Sequence, residues 1–168
     1  MDTKLKGKVA IVTGAARDVG REVALMLAAE GATVAVNYMK SREGADNVVK
    51  EILAAGGKAK AYHADVSNYE SVKAFADAVA SEHGTIDILV NNAGLVLRKP
   101  FLTTVKEDWD RQVGVGLYGV IHTCHAVLPY MQKQKSGRII SLSGDSARVG
   151  ESGLAVTAAS RAGAMALT

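Results

Sequence analysis

The sequence predicts an α/β protein built on a doubly wound parallel sheet. Short β-branched apolar runs alternate with longer stretches whose apolar residues recur at helical spacing, and short polar connections separate the two. The first run, residues 9–12, breaks into a glycine-bearing turn and then into a helical pattern. This alternation is typical of a parallel sheet covered by helices on both faces, and right-handed crossovers favour the strand order 3-2-1-4-5.

The composition is typical of a single soluble domain spanning residues 1–168. Hydrophobic residues make up 48% of the chain, its net charge is only +3, and no low-complexity tract occurs. An aromatic content of 5% without a basic stripe argues against a nucleic-acid-binding surface. Cys124 is the single cysteine, which excludes an internal disulfide framework and fits a reducing compartment. No apolar signal region or membrane-length run occurs, so we expect a cytoplasmic protein that binds no membrane.

Turn and cap residues give the bounds of the expected elements. Ser67 or Asn68 can cap the third helix, which ends at Gly84. One long helix is expected over residues 109–131, and an alanine-rich helix over residues 155–167. The expected strands are residues 9–12, 33–37, 59–64, 86–90 and 138–143.

The turn after the first strand has the chemistry of a phosphate site. A strand, a glycine turn and a helix N-terminus together aim backbone N–H groups at an anion. Gly14 and Gly20 lack side chains at the two positions where a pyrophosphate would approach the backbone. Between them stands Asp18, whose carboxylate would repel that pyrophosphate. We therefore expect cofactor binding to be weakened or lost; by itself, the turn is also compatible with an ordinary strand-to-helix connection.

Two motifs identify the chain as similar to a known family. The spacing Thr13-Gly14-x-x-x-Asp18-x-Gly20 resembles the Thr-Gly-x-x-x-Gly-x-Gly turn of the short-chain dehydrogenase/reductase family. The segment Asn91-Asn92-Ala93-Gly94, after the fourth strand, matches the family's Asn-Asn-Ala-Gly signature residue for residue. The resemblance covers the whole chain and is closest to 3-oxoacyl-acyl-carrier-protein reductases and sugar-dehydrogenase-like members.

This resemblance implies a Rossmann-type fold and NAD(P)-dependent carbonyl or alcohol oxidoreduction. It further implies that more strand and helix would follow residue 168, so that the chain ends within the helix after the fifth strand. The fifth strand would then present an unpaired apolar edge unless another segment covers it. The resemblance also implies that subunits pair through the helices around residues 109–131 and 155–167, either as a homo-oligomer or with a paralogue.

Further residues are assigned to the cofactor by the resemblance. Asp65 would contact the adenine amino group and Val66 the adenine ring, although Asp65 also suits a polar position at the start of a helix. The Asn side chains of the signature would tie neighbouring strands together, and Gly94 would let the nucleotide pass. The residues expected to bind the cofactor are Gly14, Arg17, Asp18, Gly20, Arg42, Asp65, Val66, Asn91, Ala93 and Gly94.

Charge near the end of the second strand favours NADP over NAD. A site for NAD usually carries an acid there to bind the ribose hydroxyls. Asn37-Tyr38 stands at this position instead, with Lys40 and Arg42 after it and Arg17 in the first turn. These cations would attract a 2′-phosphate. Alternatively, they are ordinary solvated surface charges, which would give no preference between NADP and NAD.

Four positions that carry the family's chemistry hold other residues here. In the family a tyrosine passes the proton, a nearby lysine raises its acidity, a serine orients the substrate oxygen and an asparagine holds a water. The tyrosine and lysine would fall at Thr157 and Arg161, and the serine and asparagine at Gly144 and Gly116. A threonine hydroxyl is far less acidic than a phenol of pKa about 10, and arginine does not titrate as lysine does. We expect no catalytic residue at these positions and an impaired or inactive chain.

Three readings of the function stay open. The chain is an NADP(H)-dependent 3-oxoacyl-type reductase that uses non-standard residues such as Ser143 and Arg161, a non-catalytic partner subunit, or a fragment or engineered version of a reductase. The substrate is not indicated by any residue. His122 and His125 lie three apart on a helix, but no third ligand is evident, so no metal site is expected.

Overall fold

A computed structural model describes residues 3–168 of the chain. Its strands form one parallel sheet in the order β3-β2-β1-β4-β5, which confirms the predicted topology. The strands are β1 (Val9–Val12), β2 (Thr33–Tyr38), β3 (Lys58–His63), β4 (Ile88–Asn91) and β5 (Arg138–Ser141).

Helices cover both faces of the sheet. Alternate residues of β1 face opposite layers, so that Ile11 packs with the layer of α3 and α5, whereas Val12 packs with the layer of α1 and α2. The three inner strands, β1, β2 and β4, are almost wholly buried because helices cover both faces. Because the strands are parallel, the carboxyl ends of these three meet at one edge of the sheet. The helices are α1 (Asp18–Ala29), α2 (Arg42–Ala54), α3 (Tyr69–His83), α4 (Lys106–Val113), α5 (Gly119–Lys133), α6 (Ser146–Val149) and α7 (Ala155–Leu167).

The third helix begins and ends at residues that were expected to cap it. Asn68 caps α3 by accepting a hydrogen bond from the backbone N–H of Ser71 at 2.9 Å, so Asn68 rather than Ser67 is the cap. Gly84 ends the helix in the left-handed conformation, at φ +77°.

The continuous helix predicted over residues 109–131 is interrupted. A π-helical turn, Gly114–Tyr118, separates α4 from α5. Glycine is a poor helix former, and Gly114 and Gly116 both lie in this turn. A Cβ on Gly116 would stand 3.1 Å from the Cβ of Ser160, so the missing side chain also lets α7 pack closely against the turn.

The fifth strand is shorter and more exposed than the predicted pattern suggests. It ends at Ser141, not at residue 143 as predicted, and a short helix that the sequence did not suggest, α6, follows it. Within residues 3–168, β5 pairs on one side only, and Ile140 on it is 52% exposed. Across the same described range, every helix is too short or too polar to serve as a membrane span.

Candidate active site

The turns after β1 and β4 are joined by a set of short hydrogen bonds. The Thr13 hydroxyl accepts from the backbone N–H groups of Asn92 and Ala93, each at 3.0 Å. The Asn92 side-chain amide donates to the carbonyls of Thr13, at 2.9 Å, and Gly14, at 3.1 Å. The predicted role of the signature, tying neighbouring strands together, is visible here for Asn92.

Glycines let these two turns approach each other. Gly14 has φ +61°, and a Cβ on it would stand 3.0 Å from the Cα of Ala93. A Cβ on Gly20 would collide with the side-chain nitrogen of Asn92 and stand 2.6 Å from the carbonyl oxygen of Gly14. Gly14 and Gly20 therefore let the two turns pack closely beside the N-terminus of α1, the place where this kind of turn can bind a phosphate.

Asn91 and Asn37 are buried and bonded within the protein. Asn91 Oδ1 accepts from the Thr123 hydroxyl at 2.6 Å, which anchors β4 to α5. Asn37, a residue that sequence reasoning did not assign, accepts from the Gly14 N–H at 3.1 Å and donates to the Ala64 carbonyl at 3.1 Å. Asn37 thus joins the turn after β1 to the segment after β3. The signal for it was a polar residue at the end of an otherwise apolar strand.

Asp18 is the first residue of α1 and adopts a left-handed backbone conformation. Its φ is +50°, which L-residues other than asparagine and aspartate rarely adopt. Its side chain is 82% exposed, and one carboxylate oxygen lies 3.5 Å from Nε of Arg17. The carboxylate stands in the first turn of α1, where it interacts favourably with the helix dipole and competes with any other anion.

The cations expected near a 2′-phosphate are exposed. Arg17 pairs with Asp18, and Nε of Arg42 lies 3.5 Å from a carboxylate oxygen of Asp46. Exposed pairs of this kind contribute little free energy, so both guanidinium groups can change partners at low cost. Lys40 is also exposed, in the loop between β2 and α2.

The segment after β3 forms a turn stabilised by Asp65. Its Oδ1 accepts from the backbone N–H of Ser67 at 2.9 Å and from the Ser67 hydroxyl at 2.7 Å. Val66 is buried against the point where α5 begins, and a Cβ on Gly119 would stand 3.0 Å from its Cγ2. Asp65 is thus a turn residue shortly before α3, which is compatible with the polar role that the sequence offered for it. The contact of Asp65 with adenine stays a prediction.

A cavity of about 200 Å³ lies beyond the carboxyl end of β4. Three of the four positions that replace the family's catalytic residues line it, and the fourth, Gly144, lies against Arg161. The fold thus brings all four positions together, as their frame in the sequence predicts. The residues that line the cavity are Val19, Asn91, Asn92, Ala93, Gly94, Leu95, Gln112, Gly116, Val120, Leu142, Ser143, Thr157, Ser160 and Arg161.

Thr157 and Arg161 differ sharply in their surroundings. Thr157 is buried, and its hydroxyl donates to Oε1 of Gln112 at 2.5 Å, so the hydroxyl proton is already used within the protein. The Arg161 guanidinium lies between two loops: its Nη2 is 3.4 Å from the site of a Cβ on Gly94, and its Nη1 is 2.9 Å from that of a Cβ on Gly144. An arginine therefore occupies space that a side chain at position 144 would need.

The two histidines of α5 bond to different partners. Nδ1 of His122 lies 2.9 Å from the carbonyl oxygen of Val66, and Nδ1 of His125 lies 2.9 Å from the hydroxyl of Tyr69. Among residues 3–168, no group of three histidine, cysteine, aspartate or glutamate side chains is placed to hold a metal ion. Burial raises the pKa of the Cys124 thiol.

Comparison with known proteins shows which family the sequence matches. The short chain dehydrogenase family model matches residues 8–168. The 3-oxoacyl-[acyl-carrier-protein] reductase of Staphylococcus aureus (strain Mu50) is 42% identical over 161 residues, which are 96% of this chain and 65% of that reductase. The reductase of the same name from Synechocystis is 42% identical over 166 residues, 99% of this chain and 67% of that protein.

Solved structures show the same architecture. A metagenomic short-chain oxidoreductase in complex with NADP superposes with a TM-score of 0.93 at 35% identity, covering 98% of this chain and 75% of that one. A short chain dehydrogenase from Mycobacterium avium gives a TM-score of 0.92 at 34% identity, covering 98% and 64%. The chain spans about two thirds of the length of the curated reductases that it matches. The chain belongs to the short-chain dehydrogenase/reductase family.

Proposed function

We propose that this chain retains a weakened NADP(H) site of the reductase family and does not reduce carbonyl groups by the family's mechanism. Its relatives are 3-oxoacyl-acyl-carrier-protein reductases, and one structural neighbour is in complex with NADP. NADPH, when bound, supplies a hydride. A site for NADPH is supported by the glycine turn between β1 and the N-terminus of α1, and it is opposed by the Asp18 carboxylate.

One observation carries the proposal of impaired catalysis. Carbonyl reduction needs a proton donor beside the reacting oxygen, and the family supplies a phenol for it. Thr157 stands there instead, with its hydroxyl buried and committed to Gln112. Arg161 replaces the family's lysine, and its planar guanidinium differs from an ammonium in shape and in hydrogen-bonding geometry. The chain can therefore hold the nucleotide but has no acid at these positions to complete the reaction.

A titration and an assay together test this proposal. NADPH and NADH are titrated against the purified chain by fluorescence, and NADPH oxidation is then followed over a carbonyl panel that includes a 3-oxoacyl thioester. We expect NADPH to bind more tightly than NADH and turnover to stay at background. The S. aureus reductase, measured in parallel, provides the reference values for NADPH affinity and for turnover. NADPH binding as tight as that of the reductase, or turnover above background, would overturn the proposal.

A second function is favoured by a separate observation. Arg161 and Ser143 line the same cavity, and neither side chain has a partner among residues 3–168. An NADP(H)-dependent reductase that uses them would polarise the substrate oxygen with the guanidinium. Turnover that Arg161→Leu abolishes would establish this alternative.

We also propose that the chain works in the cytoplasm as a homo-oligomer or beside a paralogue. Exposed aromatic and aliphatic side chains on the two expected helices support it, among them Trp109 at 41%, Tyr118 at 53% and Met165 at 42%. Light scattering after size exclusion measures the mass of the assembly. A strictly monomeric profile, with no paralogue captured, would contradict this part of the proposal.

A further inference from the structure

The cavity at the end of β4 contains a cation without an acidic partner. Among residues 3–168, the Arg161 guanidinium makes no hydrogen bond and has no carboxylate within ion-pair distance. It is partly buried between the loops that carry Gly94 and Gly144. A guanidinium that has lost part of its water and has no counter-charge favours an anion as ligand.

The other polar side chains of the cavity are already bonded, with one exception. Ser143, on the loop after β5, is exposed and its hydroxyl has no partner within the described residues. The free polar groups of the cavity are therefore one guanidinium and one hydroxyl, as far as residues 3–168 show. The bonded side chains are Thr157 with Gln112, Asn91 with Thr123, Asn92 with the carbonyls of Thr13 and Gly14, and Ser160 with the carbonyl of Val156.

Size and lining limit what can accompany the anion. The volume of about 200 Å³ is below the roughly 300–1,000 Å³ that is usual for ligand pockets. The remaining walls are aliphatic, so a short apolar tail fits beside the charged group. The aliphatic lining consists of Val19, Leu95, Val120 and Leu142.

We propose that this cavity binds the carboxylate of a small aliphatic acid, with Arg161 as its main ligand. A guanidinium donates two parallel hydrogen bonds to the two oxygens of a carboxylate, and the Ser143 hydroxyl can donate a third. The inference rests on the proposed function, because a chain that reduced carbonyl groups would need the same space for its reacting substrate. The site would then have changed from a reaction centre into an anion receptor.

A pair of isosteric ligands tests this directly. The full chain, without nucleotide and in a low-chloride buffer, is titrated by ligand-observed NMR with butanoate, with neutral butanamide and with inorganic phosphate. We expect butanoate to bind at least tenfold more tightly than butanamide and more tightly than phosphate. Equal affinity for butanoate and butanamide would overturn the proposal, and so would a preference for phosphate.

Variants locate the binding. Arg161→Leu is expected to remove the tenfold preference, and Arg161→Lys to weaken it several-fold, because an ammonium lacks the planar fork. Ser143→Ala is expected to weaken butanoate binding about twofold to threefold through the loss of one hydrogen bond. Arg111→Leu is the matched control, since Arg111 is exposed on α4 and the change in net charge is the same.

Each result has a single interpretation. Thermal unfolding shows whether each variant is folded, and if Arg161→Leu unfolds, Arg161→Lys and Ser143→Ala still decide the question. Butanoate binding that survives all three substitutions, or that Arg111→Leu abolishes, would place the ligand elsewhere and overturn the proposal. The butanoate titrations contain no nucleotide, so a lack of butanoate binding would not change the result of the NADPH titration. Turnover in the carbonyl assay would refute the proposed function but would leave the measured affinity for butanoate unchanged.

Discussion

The two ends of the candidate site differ in what defines them. At the nucleotide end, the turns after β1 and β4 are held together by backbone groups, glycines and the buried hydroxyl of Thr13. At the cavity end, the family's chemistry would depend on four side chains, and all four positions carry something else. The packed turns of the nucleotide end cannot be altered without disturbing the contacts between neighbouring strands, whereas side chains at the cavity end can be replaced with the fold kept.

This difference has a physical cause. A Cβ at Gly20, or a missing hydroxyl at Thr13, acts on packed backbone and so on the stability of the chain. A side chain that lines a cavity can be replaced while the surrounding elements stay packed, so the chemistry can be lost with the fold kept. Thr157 and Arg161 illustrate this: one has gained a buried partner, and the other lies in the space left by glycines.

The largest expected effect is on the stability of the nucleotide end. Gly20→Ala places a Cβ against the Asn92 side chain and 2.6 Å from the Gly14 carbonyl, so the hydrogen bonds between the turns must be displaced. We expect the free energy of unfolding to fall by about 3 kcal/mol, from overpacking and from broken buried hydrogen bonds. Urea denaturation followed by circular dichroism measures it.

The same substitution elsewhere provides the control. A Cβ on Gly114, in the π-helical turn, would stand 3.5 Å from the Cβ of Ser67, an ordinary contact. Gly114→Ala is therefore expected to leave the stability unchanged or to raise it by about 0.5 kcal/mol. If both variants lost similar stability, the close approach at Gly20 would not be what distinguishes the nucleotide end.

A smaller loss of stability is expected when valine, which has nearly the same shape, replaces Thr13 and removes its hydroxyl. Thr13→Val leaves the partly buried backbone N–H groups of Asn92 and Ala93 without their acceptor. The expected cost is about 2 kcal/mol, measured by the same urea denaturation. Thr33→Val is the control, because Thr33 lies in β2 and its hydroxyl bonds to nothing among the described residues; a change below about 0.5 kcal/mol is expected there.

The fold could be predicted from the sequence to a large extent because its signals are local and repeated. Apolar runs, turn glycines and the cap at Asn68 each specify one element, and right-handed crossovers then restrict the strand order. The π-helical turn could not be predicted, because its geometry depends on the contact of Gly116 with α7 as much as on helix propensity. The early end of β5 likewise depends on pairing along a single edge.

The candidate site could be predicted as a set of positions but not as a set of contacts. The spacing in the sequence predicted that Thr157, Arg161, Gly116 and Gly144 lie at one site. The structure brings these positions together at the cavity. Nothing in the spacing indicated that Asn37 would bond to the turn after β1, or that Gln112 would accept from Thr157. Such hydrogen bonds join residues that are distant in sequence, and only the packing of the helices on the sheet determines them.

Asp18 is a residue of the nucleotide end that can be replaced without disturbing the hydrogen bonds between the two turns. Asp18→Gly removes a carboxylate from the first turn of α1 and relieves a backbone conformation that glycine adopts freely. We expect NADPH to bind about tenfold more tightly, which corresponds to about 1.4 kcal/mol. NADPH fluorescence measures the affinity at two salt concentrations.

Charge and shape can be separated at the same position. Asp18→Asn removes the charge and keeps a side chain that tolerates positive φ, so it is expected to recover only part of the gain. Because salt screens exposed charges, the gain in affinity that Asp18→Asn gives over the unmodified chain should shrink at high ionic strength. An affinity that neither substitution changes would show that Asp18 is not what weakens this end.

The smallest expected effect concerns the cavity end, where the Thr157 hydroxyl bonds to Gln112 at 2.5 Å and both residues are nearly inaccessible to solvent, at 3% and 2%. Thr157→Val is expected to cost about 1 kcal/mol, because Oε1 of Gln112 loses its donor. Combining it with Gln112→Leu should cost less than the sum of the two single changes, since the double variant leaves no unpaired group between these positions. Urea denaturation of the four proteins measures this coupling. If the two single losses of stability simply added in the double variant, the Thr157 hydroxyl would be free for other partners. The contrast between the two ends of the site would then lose its main support.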